Sequence, residues 1–206
     1  MTPIGHSEKV LVMRVFIAVL LLLFSFQSWT KADDIRDFEI EGISIGDSAL
    51  NYFSESEIIK NIRQDAYEGS DGNFYDIFLK KDLSEIYDKV SLAFKKNDKK
   101  YIIYSLGGLV FYGKDTDKCI EQYKKIAKDV ETLFPNHKKN VGKNKTHAQD
   151  KSGKSFYNHT TFIHKSGSGA EVGCYSWSEE MKTQDYVLVA IDSAEFGKWL
   201  DVYYDN

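Results

Sequence analysis

Apolar residues on both parities run from Tyr101 to Tyr112, and a helical periodicity follows within a few residues. The run predicts a strand covered on both faces, inside a sheet, that leads into an amphipathic helix. Asp115-Thr116-Asp117 can cap that helix and put acid in its first turn. Apolar residues then recur at Cys119, Ile120, Tyr123, Ile126, Ala127, Val130, Leu133 and Phe134. They form one face; Glu121, Gln122, Lys124, Lys125, Lys128, Asp129 and Glu131 form the wet one, and Pro135 ends the element.

Upstream, Asp37-Phe38-Glu39-Ile40-Glu41 alternates as a half-buried edge strand does. Gly42 to Ser48 turns the chain, Asp47 or Ser48 can cap a short turn through Leu50 and Phe53, and Ser54-Glu55-Ser56-Glu57 has the spacing of a capping box. Ile58, Ile59 and Ile62 are expected to give that helix its buried stripe. Glu68 to Asn73 reads as a turn, after which Phe74 to Leu79 resumes apolar character. Val90, Leu92 and Phe94 alternate strictly, and Lys96 to Lys99 reads as the turn of a hairpin into the Tyr101 run. Gly107-Gly108 within that run predicts a bulge or a close backbone approach.

Downstream, residues 135–155 carry six lysines, one acid and almost nothing apolar, and read as a mobile surface loop. Phe156 to Lys165, the Ser166-Gly167-Ser168-Gly169 turn and Ala170 to Trp177 form a second hairpin. Tyr186 to Ile191 is a further buried strand. Asp192-Ser193-Ala194-Glu195 caps a closing helix whose apolar face is Phe196, Trp199, Leu200 and Tyr203. The expected order is β-α-ββ-α-βββ-α, an α+β fold with helices packed on an antiparallel sheet.

The apolar stretch Val15 to Phe26 follows Arg14 and precedes Thr30-Lys31-Ala32. A basic start, a short apolar run and small residues before a cleavage point make a signal peptide over 1–32, with translation from Met1 or Met13. The run is shorter than the ~20 residues a membrane span needs, so no stable span is expected after cleavage. Residues 33–206 are then one domain, periplasmic or secreted. Removing Lys9, Arg14, Lys31 and Glu8 from the 27 basic and 31 acidic residues leaves 24 and 30, a net charge of −6. That balance argues against nucleic acid as a partner.

Cys119 and Cys174 are the only cysteines, and in an oxidising compartment they are expected to form a disulfide; a cysteine nucleophile beside His159 or His164 is the rival reading. Ala148-Gln149-Asp150-Lys151-Ser152-Gly153-Lys154-Ser155 fits a permissive phosphate-loop pattern but lacks the preceding strand and following helix that chemistry needs. His137, His147, His159 and His164 have no partner at metal-ligand spacing. Glu39/Glu41, Glu55/Glu57 and Glu179/Glu180 read as solvated faces or helix starts. Tyr175, Trp177, Tyr186 and Trp199 are candidates for a sugar or peptide groove or for ordinary packing.

The segment Gly42-Ile43-Ser44-Ile45-Gly46-Asp47-Ser48 followed by a capped helix is similar to the opening of many small periplasmic α+β modules. With the lysine-rich stretch before Asp150, the single cysteine pair and the ending Ser193 to Trp199, the chain resembles an uncharacterised family of small exported bacterial proteins. That resemblance implies no activity. The expectation is an exported, non-catalytic binding or interaction module without cofactor, its partner an envelope protein or a small ligand. The alternatives are an envelope-directed hydrolase using carboxylates and an accessory or inhibitor subunit of an envelope protein. A deep pocket with two close carboxylates would favour the hydrolase. An exposed apolar patch beside an uncovered strand edge would favour the interaction module.

Overall fold

The computed structural model describes residues 38–63, 67, 72–79 and 86–205, so the apolar stretch at 15–26 and the expected cleavage point lie outside the described residues. Strands β1 (Glu39–Ile40) and β2 (Ile43–Ser44) pair with each other. Helix α1 (Glu55–Lys60) follows, then β3 (Phe74–Leu79), β4 (Lys89–Lys95), β5 (Ser105–Phe111), α2 (Thr116–Leu133), β6 (Lys138–Thr146), β7 (Phe156–Ile163), β8 (Gly169–Ser176), β9 (Tyr186–Asp192) and α3 (Ala194–Asp205). The seven longer strands form one antiparallel sheet in the order β3-β4-β5-β9-β8-β7-β6. This is an α+β architecture; β2, β3 and β6 are additional to the strands expected.

Helix α2 lies on one face of that sheet. Asp115 caps it by accepting from the Lys118 amide, and its buried Cys119, Tyr123, Ala127 and Val130 are four of the eight positions read as its apolar face. They join the core with Val90, Leu92, Phe94, Leu106, Phe162, Val172, Val187 and Ile191, which all share the helix-facing parity of their strands. Asp185, buried at the head of β9, accepts hydrogen bonds from Thr116 Oγ1, Ser176 Oγ and the Trp177 amide, which ties the start of α2 to β8 and β9. Cys119 and Cys174 are disulfide-bonded across the same interface, with an S–S distance of 2.07 Å and Cα atoms 5.7 Å apart. Tyr123 Oη and Thr160 Oγ1 stand 2.8 Å apart at mid-helix.

Four expectations need correction. The Tyr101 run is not one strand: Tyr101 has φ 49°, and the Ile103 backbone pairs with Gly46 and Asp47, so β5 begins only at Ser105 and residues 96–104 make the connection from β4. The lysine-rich stretch 135–155, expected to be a loop, carries β6 as the edge of the sheet. All of its residues are exposed except Gly142. A strand with one neighbour and no layer above it needs no apolar alternation, and lysines along an edge discourage further pairing. Gly107-Gly108 sits in unbroken register without a bulge, and the close approach is by side chains: a Cβ on Gly108 would lie 2.4 Å from the Tyr87 ring. In α1 only Ile58 is fully buried, while Ile59 is 54% exposed, because one six-residue helix has room for a single inward position. The Ser54–Glu57 capping box is present as read.

Candidate functional site

Among the described residues, the face of the sheet opposite α2 is covered at one end by α3, where Phe196 and Trp199 pack on Phe74, Ala93 and Tyr104, and is bordered by Arg63, Tyr67 and the 147–149 segment. The rest is concave and encloses a cavity of about 450 Å³. Register arranges its floor in parallel rows. One row is aromatic: Phe111, Tyr186, Tyr175 and Tyr157 are successive cross-strand partners over β5, β9, β8 and β7. The next is Leu109, Leu188, Gly173 and His159. Then come Ser91, Gly107, Ala190, Glu171 and Thr161, and after them Ser105 and Asp192. Along the strands, the floor changes from aromatic through small and aliphatic to acidic.

Cross-strand stacking orders the aromatic row. The Tyr157 and Tyr175 rings are 5.3 Å apart and 8° from parallel, and Tyr175 and Tyr186 are 5.1 Å apart at 22°. Their faces are spent on each other, so the row offers ring edges rather than a flat platform. His147 lies 4.2 Å from the Trp177 ring beside this row. Burial and the Arg63 charge push its imidazole down to about 4, so it is neutral. His159 is also lowered, by burial and then by Lys145, and its ring covers Gly142, where a Cβ would come within 2.4 Å of Nε2. Trp177 is 8% exposed and borders the cavity; among the described residues its indole N–H finds no partner in hydrogen-bonding geometry.

At the acidic end, Glu171 and Asp192 occupy diagonal positions on neighbouring strands, since Glu171 pairs with Ala190 and Asp192 with Gly169. Such diagonal neighbours stand about 7 Å apart. Tyr175 Oη donates to Glu171 Oε1 at 2.6 Å, and Ser105 Oγ donates to Asp192 Oδ1 at 2.6 Å. Neither carboxyl is in an ion pair among the described residues. Burial raises both groups: Asp192 is pushed up to about 7, with a further rise from Glu171, against the pull of the Ser105 hydroxyl. Another carboxylate of the cavity, Asp76, receives Arg63 Nη1 at 3.0 Å, and the guanidinium lies over the Phe78 ring at 4.4 Å.

Of the aromatic residues singled out from the sequence, Tyr175, Trp177 and Tyr186 come together here, whereas Trp199 packs beneath α3. The disulfide lies behind the sheet, against α2. The phosphate-loop match is a turn between β6 and β7: Asp150 accepts from the amides of Ser152 and Ser155 and from Ser155 Oγ, and Lys154 pairs with Glu180. Glu57 belongs to the capping box and Glu55 accepts from Tyr101 Oη. His137 and His164 lie 5.2 Å apart, ring to ring, outside the cavity lining. Among the described residues no cluster of histidine, cysteine and carboxylate side chains is placed to hold a metal ion.

Glu171, Asp192, Asp76 and Arg63 were not singled out from the sequence. Asp192 reads there as a helix cap, but the cap is Ser193, whose Oγ accepts from the Phe196 amide, while Glu195 reaches Lys95. A usable signal existed: if Cys174 faces α2, then Glu171, Tyr175 and Trp177 must face the other way. Comparison with known proteins finds no matching family model, no similar curated protein and no similar solved structure. The function must be argued from the site.

Proposed function

We propose that the protein is an exported, non-catalytic binding module of the kind of small bacterial envelope protein it resembles, and that it receives a small amphipathic molecule on the open face of its sheet. The observation that carries this reading is the cavity of about 450 Å³, whose floor grades from a tyrosine row to a carboxyl pair. Its size is that of ordinary small-ligand sites, and a dry end facing a polar end suits a ligand with an apolar body and a polar head. The Cys119–Cys174 disulfide supports export, and no helix among the described residues is long and apolar enough to cross a membrane.

A neutral fluorescent amphiphile tests it. N-phenyl-1-naphthylamine should bind saturably at one site with a blue-shifted emission. Ala190→Phe, which fills the middle of the floor, should abolish that binding while leaving the circular dichroism spectrum unchanged. Unsaturable binding, or binding indifferent to Ala190→Phe, would refute the reading. A second reading, the carboxylate hydrolase, is favoured by the adjacency of Glu171 and Asp192, because one acid that stays protonated near neutral pH beside a second carboxyl can serve acid–base chemistry. Soluble fragments released from purified cell-wall material by the wild type, and not by Asp192→Asn, would shift the assignment to that hydrolase.

A further inference from the structure

We infer that Glu171 and Asp192 form the binding site for the ammonium group of an organic amine, whose apolar body lies toward the tyrosine row. This rests on the cavity reading above and adds the charge of the ligand. Three observations carry it. First, these two carboxyls face the cavity with only hydroxyl donors, Tyr175 Oη and Ser105 Oγ, and no cation among the described residues. Each carboxyl oxygen pair has room for further donors, which a hydroxyl-free ammonium with three N–H groups supplies. Second, the charges around the cavity are unbalanced. Asp76 is spent on Arg63, while Lys198 and Asp201 both sit on α3 at its rim. Among the described residues that line the cavity, Glu171 and Asp192 are therefore the carboxyls left without a matching cation. Third, the small side chains of Ser91, Gly107 and Ala190 leave the floor next to the pair low; a Cβ on Gly107 would collide with Leu188 Cδ1 at 2.8 Å.

Competing heads fit less well. An anionic head would meet the two carboxyls, with the Arg63 guanidinium already paired and stacked and Lys198 out on α3 at the rim. A sugar head would want a flat aromatic platform, and the tyrosines present edges. An ammonium also fits the protonation chemistry. Burial raises Glu171 and pushes Asp192 up to about 7, so protons compete with a cation for the pair; the arriving ammonium favours the ionised forms, so binding expels protons and strengthens as pH rises. The groups that line the cavity with the pair are Ser105 from β5, Tyr175 from β8, Thr161 and His159 from β7, Asp76 from β3 with its partner Arg63, His147 from the β6–β7 turn, and Lys198 and Asp201 from α3.

Three probes with one tail and different heads decide it: octylammonium, octyl glucoside and octanoate, each titrated calorimetrically and by displacement of N-phenyl-1-naphthylamine, at about pH 5.5 and about pH 8.5. Octylammonium should bind at least roughly tenfold more tightly at the higher pH, as charge-assisted hydrogen bonds replace neutral ones. In two buffers of different ionisation enthalpy it should show proton release. The Glu171→Gln/Asp192→Asn variant should lose that pH dependence and at least about tenfold of the octylammonium affinity, yet keep its affinity for N-phenyl-1-naphthylamine, which reports an intact cavity. Octanoate or octyl glucoside binding as tightly as octylammonium would overturn the amine site and leave the cavity reading standing. So would an octylammonium affinity indifferent to pH or to the double variant. Failure of all four probes to bind the wild type would overturn both.

Discussion

Replacing Asp192 by asparagine removes an ionisable group and keeps a hydrogen bond, since the amide oxygen can accept from Ser105 Oγ as the carboxylate does now. Its cost in the native protein follows from its titration. Burial first, and the Glu171 charge second, hold the folded carboxyl at about 7, against 3.8 ordinarily. The folded state therefore binds the proton more tightly than the unfolded chain. The stability it contributes is fully present below about pH 3.8 and is lost as pH rises through about 7. Each factor of ten is worth about 1.4 kcal/mol, so full ionisation costs roughly 4 kcal/mol. Asp192 keeps partial contact with the cavity, and water there reduces this to about 2–4 kcal/mol. Asp192→Asn should thus differ little from the wild type near pH 4 and be more stable by about 2–4 kcal/mol near pH 8. In melting temperature that gain is roughly 5–15 °C. Urea titrations followed by circular dichroism at about pH 4, 6 and 8 read it directly. A difference that does not grow with pH, or a variant less stable than the wild type at pH 8, would refute the argument. Glu171→Gln should act in the same direction. The double variant should gain less than the two single gains together, because neutralising Glu171 removes part of what raises Asp192.

The disulfide closes a separation of 55 residues and is worth about 4 kcal/mol in the chain-entropy model. Cys119→Ser/Cys174→Ser should lower the urea midpoint accordingly, reductant should bring the wild type to the same midpoint, and unreduced exported protein should show no titratable thiol. Gly108→Ala should cost about 1–3 kcal/mol, because the new Cβ would meet Cγ, Cδ1 and Cε1 of Tyr87 within 2.7 Å and the root of that ring cannot move far. A Gly108→Ala midpoint within error of the wild type would show that the Tyr87 contact is soft.

Helix α2 was legible in the sequence because three independent signals agree there: the Asp115 cap, an unbroken apolar stripe and Pro135 at the end. The β7–β8 hairpin was legible for a similar reason, with alternation on both arms and a Ser-Gly turn between them. β6 was not, since an edge strand buried on neither face leaves no periodicity to read. The onset of β5 was misread because Tyr101 and Ile103 are buried by the 46–49 segment rather than by the sheet, and apolar content alone does not say which partner does the burying. The site was the least legible part. Glu171 and Asp192 lie far apart in the chain and become neighbours only through the β8–β9 register, which nothing local to either residue encodes. Phe111, Tyr186, Tyr175 and Tyr157 are scattered over four strands in the same way.

The two faces of the sheet are built to different ends. The α2 face joins apolar residues from six strands and is fastened at three places, by the Asp185 cluster, the disulfide and the Tyr123–Thr160 contact. The open face holds two carboxyls whose ionisation at neutral pH opposes folding. Each of these could be relieved by a single substitution, as Asp192→Asn should demonstrate. Groups that cost stability and are easily replaced point to use rather than to packing. The disulfide contributes about as much as Asp192 removes, so the covalent tie behind the sheet can sustain an unfavourable acid pair in front of it. On this argument an amine that satisfies the pair should stabilise the folded protein most where the wild type is weakest, above neutral pH, and its stabilising effect should fade as the solution is acidified.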